Sequence, residues 1–299
     1  MDAPLISFVS IDYNRLEDTV ELIESLQKTI HSVTYEIIVI DNSSIKNEAD
    51  IIHKRFPFVR TVRSRKNIGF SGGNNIGINM SRGKYIFLIN NDTYIKEDGL
   101  QFLIERLESS PHIAGVSPKI RFAFPPQNIQ FAGFTHLTPI TLRNKTLGFD
   151  CKDEEIYNKP HPTPYLHGAA MMIKKDIINI VGLMPEMFFL YYEELDWSTQ
   201  MTKAGYELWY EPRCTVCHKE SQSIGKMSKT RIFYMTRNRL LFAWRNLSGL
   251  RRIMSILYLS ILVSAKSSFV FVLHKHFDLA KMIWKGTFAF IKMSKIKNN

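Results

Sequence analysis

Three acids stand within four residues at Glu193-Glu194-Leu195-Asp196, behind the apolar and aromatic run Met187-Phe188-Phe189-Leu190-Tyr191-Tyr192. Partial burial beside aromatic rings raises a carboxyl pKa toward the range of a general base. Acids also suit the first turn of a helix, here predicted over 195–204, because the helix dipole favours negative charge there. His218 closes Cys214-Thr215-Val216-Cys217-His218, the spelling of a c-type haem attachment site. That reading is set aside, since the chain offers no export signal and no second axial ligand. A zinc site needs a second ligand pair, which Cys151 alone does not supply. The cysteines therefore read as packing residues, and His218 as a single metal or phosphate ligand. Asn90-Asn91-Asp92 ends an apolar run. A carboxylate there can bind a divalent cation that bridges a diphosphate, or simply close a turn. Asp41, before Asn42-Ser43-Ser44, can reach a base or ribose, or cap a turn or helix. Gly69, Gly72 and Gly73, within Asn67–Asn75, allow close backbone approach and a helix N-terminus suited to an anion, or a flexible turn.

The elements that must position these groups follow from periodicity. Residues 5–11, 36–41, 59–62 and 85–89 are short apolar runs that predict buried strands. Residues 16–30, 48–56, 72–81 and 98–108 carry helical spacing. Strands alternating with helices predict an α/β fold, a mostly parallel sheet covered on both faces, with ligands beyond the strand C-termini. Residues 121–164, rich in proline and scattered aromatics, predict loops and short antiparallel strands around an acceptor pocket. From residue 230 the chain reads as helical.

The chain has 299 residues, 45% hydrophobic and 22% charged. That profile excludes a disordered chain, and three cysteines exclude a disulfide framework. The net charge of +11 is unevenly placed: residues 219–299 hold 16 Lys/Arg and 2 Asp/Glu, a balance of +14, against −3 for the rest. No nucleic-acid reading element accompanies this basic segment. Ile253–Leu273 approaches the length of a membrane span. Lys266 interrupts it, however, and Ser260, Ser264, Ser267 and Ser268 gather on one helical face. With Arg251, Arg252, Lys275, Lys281 and Lys285 flanking it, the segment predicts a helix lying on an anionic membrane surface. The N-terminus lacks the basic-then-apolar pattern of a signal peptide, so the expected location is cytoplasmic, peripheral on the inner face of the membrane.

Taken in order, Asp41, Asn67-Ile68-Gly69-Phe70 with Gly73-Asn74, Asn90-Asn91-Asp92, His167-Gly168-Ala169-Ala170, Glu193-Glu194-Leu195-Asp196 and His218 resemble the motifs of the family 2 glycosyltransferases with a GT-A fold, and within them the rhamnosyltransferase-like branch. Tyr234-Met235-Thr236-Arg237-Asn238-Arg239 is similar to the stretch that closes the catalytic domain in that branch. The resemblance covers residues 5–245. It implies a catalytic domain over 1–245, with a nucleotide-sugar-binding half (5–120) and an acceptor-binding and catalytic half (121–245), followed by a basic amphipathic helical membrane-associating segment over 246–299. It implies that Asp41 holds the nucleotide base with the Asn14 loop beside it. Asn67, Gly69, Asn74 and Asn91 then belong to the nucleotide-sugar side. Asp92 corresponds to the last acid of an Asp-x-Asp metal motif whose first acid is here Asn90, with His218 as a further ligand for Mg²⁺ or Mn²⁺. Glu194 takes the position of the catalytic base, where the family usually has Asp, with Glu193 and Asp196 completing the acid cluster. His167, Gly168 and Trp197 fall on the acceptor side. The implied function is inverting transfer of a sugar, rhamnose as the first expectation, from a nucleotide diphosphate sugar to a lipid-linked or glycan acceptor in cell-surface polysaccharide biosynthesis. The alternatives are a sugar-1-phosphate nucleotidyltransferase, which would carry a glycine-rich loop after the first strand, a processive synthase, which would need several spans, and a non-catalytic membrane-bound sugar-nucleotide sensor.

Overall fold

The computed structural model describes residues 3–220 and 227–296. Residues 221–226, within the region read as catalytic, and 297–299, at the end of the basic segment, lie outside the described residues. Among those described, ten strands form one sheet in the order β3-β2-β1-β4-β9-β6-β10-β5, with β7 and β8 on its margin. The first half is the expected alternation: β1 (Ile6–Asp12), α1 (Leu16–Thr29), β2 (Tyr35–Asp41), α2 (Glu48–Arg55), β3 (Arg60–Arg63), α3 (Gly69–Met80) and β4 (Tyr85–Ile89). β1, β2, β3 and β4 pair in parallel. Side chains from both faces of β1, β2 and β4 are buried, which is why they read as continuous apolar runs.

The glycine-rich segment is a helix rather than a loop ahead of one. α3 starts at Gly69, so Gly72, Gly73 and Gly77 lie inside it. A Cβ at Gly73 would stand 2.8 Å from Ile11, and at Gly77 2.2 Å from Val9. These glycines let α3 lie directly on β1. Their low helix propensity is outweighed by this packing.

The second half adds β5 (Thr93–Ile95), α4 (Leu100–Glu108), β6 (Ile113–Phe122), β7 (Ile129–Phe131) and β8 (His161–Pro162). There follow β9 (Ala170–Lys174), α5 (Lys175–Val181), α6 (Glu193–Lys203) and β10 (Glu207–His218). β9 enters antiparallel between β4 and β6, and β10 runs parallel to β6. β10 is twelve residues long. It buries Cys214 and Cys217 as packing residues and ends on His218.

Four helices complete the chain: α7 (Lys229–Asn246), α8 (Gly249–Leu257), α9 (Ser264–Leu273) and α10 (Phe277–Ile296). A π-helical stretch, Tyr258–Val263, joins α8 to α9 as one continuous helix. The expected boundary at residue 245 falls inside a single apolar cluster. Leu259 and Phe290 from beyond it pack with Phe188, Tyr192, Leu142 and Leu240–Ala243.

Candidate active site

The strand C-termini bring the acids to one edge. Asp41 is fully buried, and its carboxylate is occupied locally. Oδ1 accepts from Ser44 N at 2.7 Å, Oδ2 accepts from Glu48 N at 3.1 Å at the start of α2, and Arg63 Nε lies 3.6 Å away. Direct capture of a base by Asp41 is thus corrected: its charge goes to the loop and the helix N-terminus, and what it offers a ligand is the shape of residues 42–48. Asn14, exposed and at φ 56°, holds that loop by accepting from Ile45 N at 2.7 Å.

Asn42, which no sequence signal singled out, links three segments. Its Nδ2 donates to Asn67 Oδ1 and to Gly69 O, and its Oδ1 accepts from Ile68 N. Asn67 Oδ1 also accepts from Gly69 N. Gly69 has φ +78°, and a Cβ there would come within 2.3 Å of Phe189 O. Only glycine lets this turn touch the segment that carries the acid pair. Asn74 is buried, and its amide donates to Phe70 O within its own helix. It shapes α3 instead of facing a ligand. Asn91 donates to Asp12 Oδ1 and Thr19 Oγ1.

Asp92, past the end of β4, and His218, at the end of β10, meet as expected: Asp92 Oδ1 lies 3.1 Å from His218 Nε2. His218 Nδ1 is 2.7 Å from Gln130 Oε1 on β7. An amide oxygen only accepts, so Nδ1 carries a proton and Nε2 is the nitrogen turned toward Asp92. Asn90 Nδ2 approaches the same nitrogen at 3.5 Å. A carboxylate and an imidazole held in orientation by Gln130 fit a divalent cation that takes its remaining ligands from a diphosphate and water. Among the described residues no group of three or more His, Cys, Asp or Glu gathers around one point, so the protein supplies two of the ligands at most from these types.

His167 stacks on Phe134 with centroids 5.9 Å apart and interplanar angle 10°. Burial, and then nearby His218, hold its pKa down to about 3, so the ring is neutral. The next residue, Gly168, is adjacent to the acid pair: a Cβ there would sit 3.8 Å from Glu194 Cγ. Glu193 and Glu194 open α6 after a backbone with positive φ at Phe189, Tyr191 and Tyr192. Glu193 is buried, with its carboxyl pKa raised well above the usual value by burial and by the charge of Glu194. Glu194 is half-buried; burial lifts it to about 7. Glu193 Oε2 and Glu194 Oε2 both lack a hydrogen-bond partner. Both carboxyls thus hold a proton more readily than an ordinary glutamate, and Glu194, lifted to about 7, is poised to take one.

The other two members expected here belong elsewhere. Asp196 is buried and accepts from Arg245 Nε at 3.0 Å, Asn246 Nδ2 at 2.6 Å and Gln200 Nε2 at 2.5 Å. It ties α6 to α7 and presents no free oxygen to a substrate. Trp197 is 1% exposed and donates to Gly182 O, a core residue and not a wall of the acceptor site. Helical geometry explains Asp196, which is turned about 200° around α6 from Glu194.

The model of "Glycosyl transferase family 2" matches residues 7–181. The chain belongs to glycosyl transferase family 2. Curated relatives include the low-salt glycan biosynthesis hexosyltransferase Agl10 of Haloferax volcanii, 28% identical over 202 residues, with 64% of this chain and 59% of that protein covered. The N-acetylglucosaminyl-diphospho-decaprenol L-rhamnosyltransferase of Mycobacterium tuberculosis is 22% identical over 211 residues, 64% of this chain and 68% of that one. The family 2 chain thus spans about three-fifths of the length of the first of these. Among solved structures, the mannosyltransferase PcManGT of Pyrobaculum calidifontis, in complex with GDP-Man and Mn²⁺, aligns with TM-score 0.58 and 13% identity over 97% of this chain and 81% of that one. GalNAc-T7 with UDP, GalNAc and Mn²⁺ aligns with TM-score 0.61 and 14% identity over 89% of this chain and 58% of that one. The shared fold is GT-A.

Proposed function

We propose that this family 2 protein transfers a sugar from a nucleotide diphosphate donor to a glycan or polyprenyl-linked acceptor, with inversion, and that Glu194 is the base. The observation that carries the proposal is the acid at the start of α6. Its pKa is lifted to about 7 by burial, and it stands beside Gly168 and the neutral His167. A carboxylate so tuned can take the proton of an acceptor hydroxyl as that oxygen attacks the anomeric carbon. The bond to the diphosphate breaks as the new glycosidic bond forms, and the proton ends on Glu194. A single displacement inverts the configuration. Asp92 and His218 hold a divalent cation, Mg²⁺ or Mn²⁺, which when bound offsets the charge on the departing diphosphate. Asn42, Asn67 and Gly69 shape the donor side through backbone and amide contacts. Thymidine diphosphate rhamnose is the first donor to test, supported by the named function of the mycobacterial relative.

Glu194→Gln keeps the shape and removes the basicity. Transfer is expected to fall by about 10²–10⁴-fold, with donor affinity by calorimetry within a few-fold of wild type. The wild-type rate should rise as pH increases through about 7, where Glu194 ionises. Near-normal transfer by Glu194→Gln would remove Glu194 from the role.

A further inference from the structure

We propose that the cavity between α7, α9 and α10 binds an anionic phospholipid, its phosphate between Arg143 and Lys266 and its upper chain against the apolar wall, where the helical face of α8–α9 lies on a bilayer. The inference goes beyond the transfer reaction and rests on different residues.

The helix running from Gly249 to Leu273 is turned inside out relative to a soluble helix, which buries its apolar side. Its serines face inward. Ser255 Oγ donates to Ile140 O at 2.7 Å, Ser264 pairs with Thr287 at 3.1 Å with both buried, and Ser268 Oγ accepts from Trp284 Nε1 at 3.1 Å. Its apolar residues face outward. Ile253, Leu257, Ile261, Phe269 and Leu273, at multiples of four residues, are each more than half exposed. Mean hydropathy reaches 2.0 while only 11% of that stretch is buried. An apolar face of this length on water marks an interaction surface.

Charge identifies the partner. Residues 249–293 carry seven Lys/Arg and one acid, Asp278, which beside an apolar face of this length matches anionic headgroups over a hydrocarbon layer. The helix lies on the surface and does not cross it: its near end is bonded to the Ile140 loop, and its middle and far parts to α10. A span would carry those serines, and Lys266, into hydrocarbon.

The cavity opens in this surface. It measures about 560 Å³ and is walled by Met235, Leu262, Val270, Phe271 and Ile283, with Arg143 and Lys266 among its lining. That volume is within the range of small-molecule sites. Neither cation makes an ion pair among the described residues. Two unpaired cations beside a hydrocarbon wall suit a phosphodiester carrying an acyl chain, and suit a free anion less well because the wall would go unused.

The full chain is titrated calorimetrically with dihexanoyl phosphatidylglycerol below its micelle concentration, with dihexanoyl phosphatidylcholine and inorganic phosphate as comparisons. One saturable site for phosphatidylglycerol is expected, with both comparisons at least about tenfold weaker. R143Q/K266Q should weaken phosphatidylglycerol by at least about tenfold, the scale of a lost charge-assisted hydrogen bond. R251Q/K275Q removes the same charge outside the cavity and should stay within about threefold, because salt screens distant charges. Circular dichroism establishes that both variants are folded. Equal losses in the two double variants, equal affinity for phosphatidylcholine, or inorganic phosphate binding as tightly as the lipid would each overturn the proposal. So would wild-type protein that stays in phosphatidylglycerol vesicles through a carbonate wash, which is the behaviour of a spanning helix.

Discussion

The side chain of Gln130 does nothing to a substrate, yet it fixes which nitrogen of His218 faces Asp92. Gln130→Leu removes that acceptor while roughly keeping the volume. Second-shell losses of this type lower metal affinity about 10–100-fold. Manganese titrated in the presence of a nucleoside diphosphate should bind that much more weakly to Gln130→Leu, with nucleotide affinity in chelator unchanged. Asp12 offers a different test. Burial, then the neighbouring carboxyl of Glu48, raise its pKa to about 8. The unfolded value is about 3.9, so the folded chain holds a proton that the unfolded chain has lost. Stability from this group is complete at low pH and declines as pH rises from about 4 to about 8. Asp12→Asn removes the titration and should give a melting temperature that falls less across that interval than wild type's. Residue types drew Asp92, Glu194 and His218 out of the sequence because few side chains can serve as metal ligand or base. They could not announce partners. Asp41, Asp196 and Trp197 have suitable types at suitable places in the chain, but their polar atoms are consumed by Ser44 and Glu48, by Arg245, and by Gly182. Asn42 and Gln130 were invisible for the converse reason, since an isolated amide carries no pattern.

At the scale of elements, the acid pair depends on a segment that would not hold its shape alone. Three residues between Phe189 and Tyr192 have positive φ, a conformation costly for side chains of this size. Two neighbours on α7 clamp it. Asn238, fully buried, donates through Nδ2 to Phe188 O, Leu190 O and Tyr191 O, and Arg237 donates to Met187 O and Phe188 O while lying 4.7 Å above the Tyr234 ring. Loss of Asn238 removes its donor from Leu190 O and Tyr191 O, while Phe188 O keeps Arg237. Asn238→Ala should destabilise the fold by about 1–3 kcal/mol. It should also lower kcat more than it raises KM for the donor, because Glu194 moves while Asn67 and Gly69 keep their Asn42 contacts. Parallel loss of kcat and donor affinity would place the effect on the whole site. The first half of the sheet was legible because β1, β2 and β4 are buried on both faces and α1 buries one stripe, Thr19, Leu22, Ile23 and Leu26. β9 was not: Ala170–Lys174 is five residues with two methionines, and its antiparallel place between β4 and β6 is decided by pairing far away in sequence. α3 was legible as a helix, but its start was displaced because glycine signals a turn locally and here serves contact with β1.

The helices α7–α10 are joined to the rest of the molecule by the Asp196–Arg245 ion pair, by the Asn238, Arg237 and Ser255 hydrogen bonds and by one apolar cluster that runs across residue 245. Asp196 on α6 receives Arg245, Asn246 and Gln200, all donors, and Phe188 and Tyr192 pack with Leu240, Leu259 and Phe290. Charge alone drew a boundary at the onset of the basic segment; packing does not respect it, because the inward face of that segment is polar only at a few serines and otherwise completes the core. Glu194 and Asp196, two residues apart, should therefore answer substitution in opposite ways. Glu194→Gln leaves the protein as stable as before, or more so, since a raised carboxyl pKa means that folding disfavours the charge being removed. Asp196→Asn replaces an acceptor of several hydrogen bonds with a group that has one accepting atom and a competing donor, and leaves Arg245 without its counter-charge. Breaking one side of a buried pair costs about 3–5 kcal/mol. Arg245 retains partial access to water at 27% exposure, so about 2–4 kcal/mol is expected for this pair. Chemical denaturation should show that loss in Asp196→Asn, while donor binding and transfer per folded molecule, measured well below the melting temperature, stay within a few-fold of wild type. An Asp196→Asn protein of unchanged stability that cannot transfer sugar would instead place Asp196 in the reaction and α6 in a different orientation.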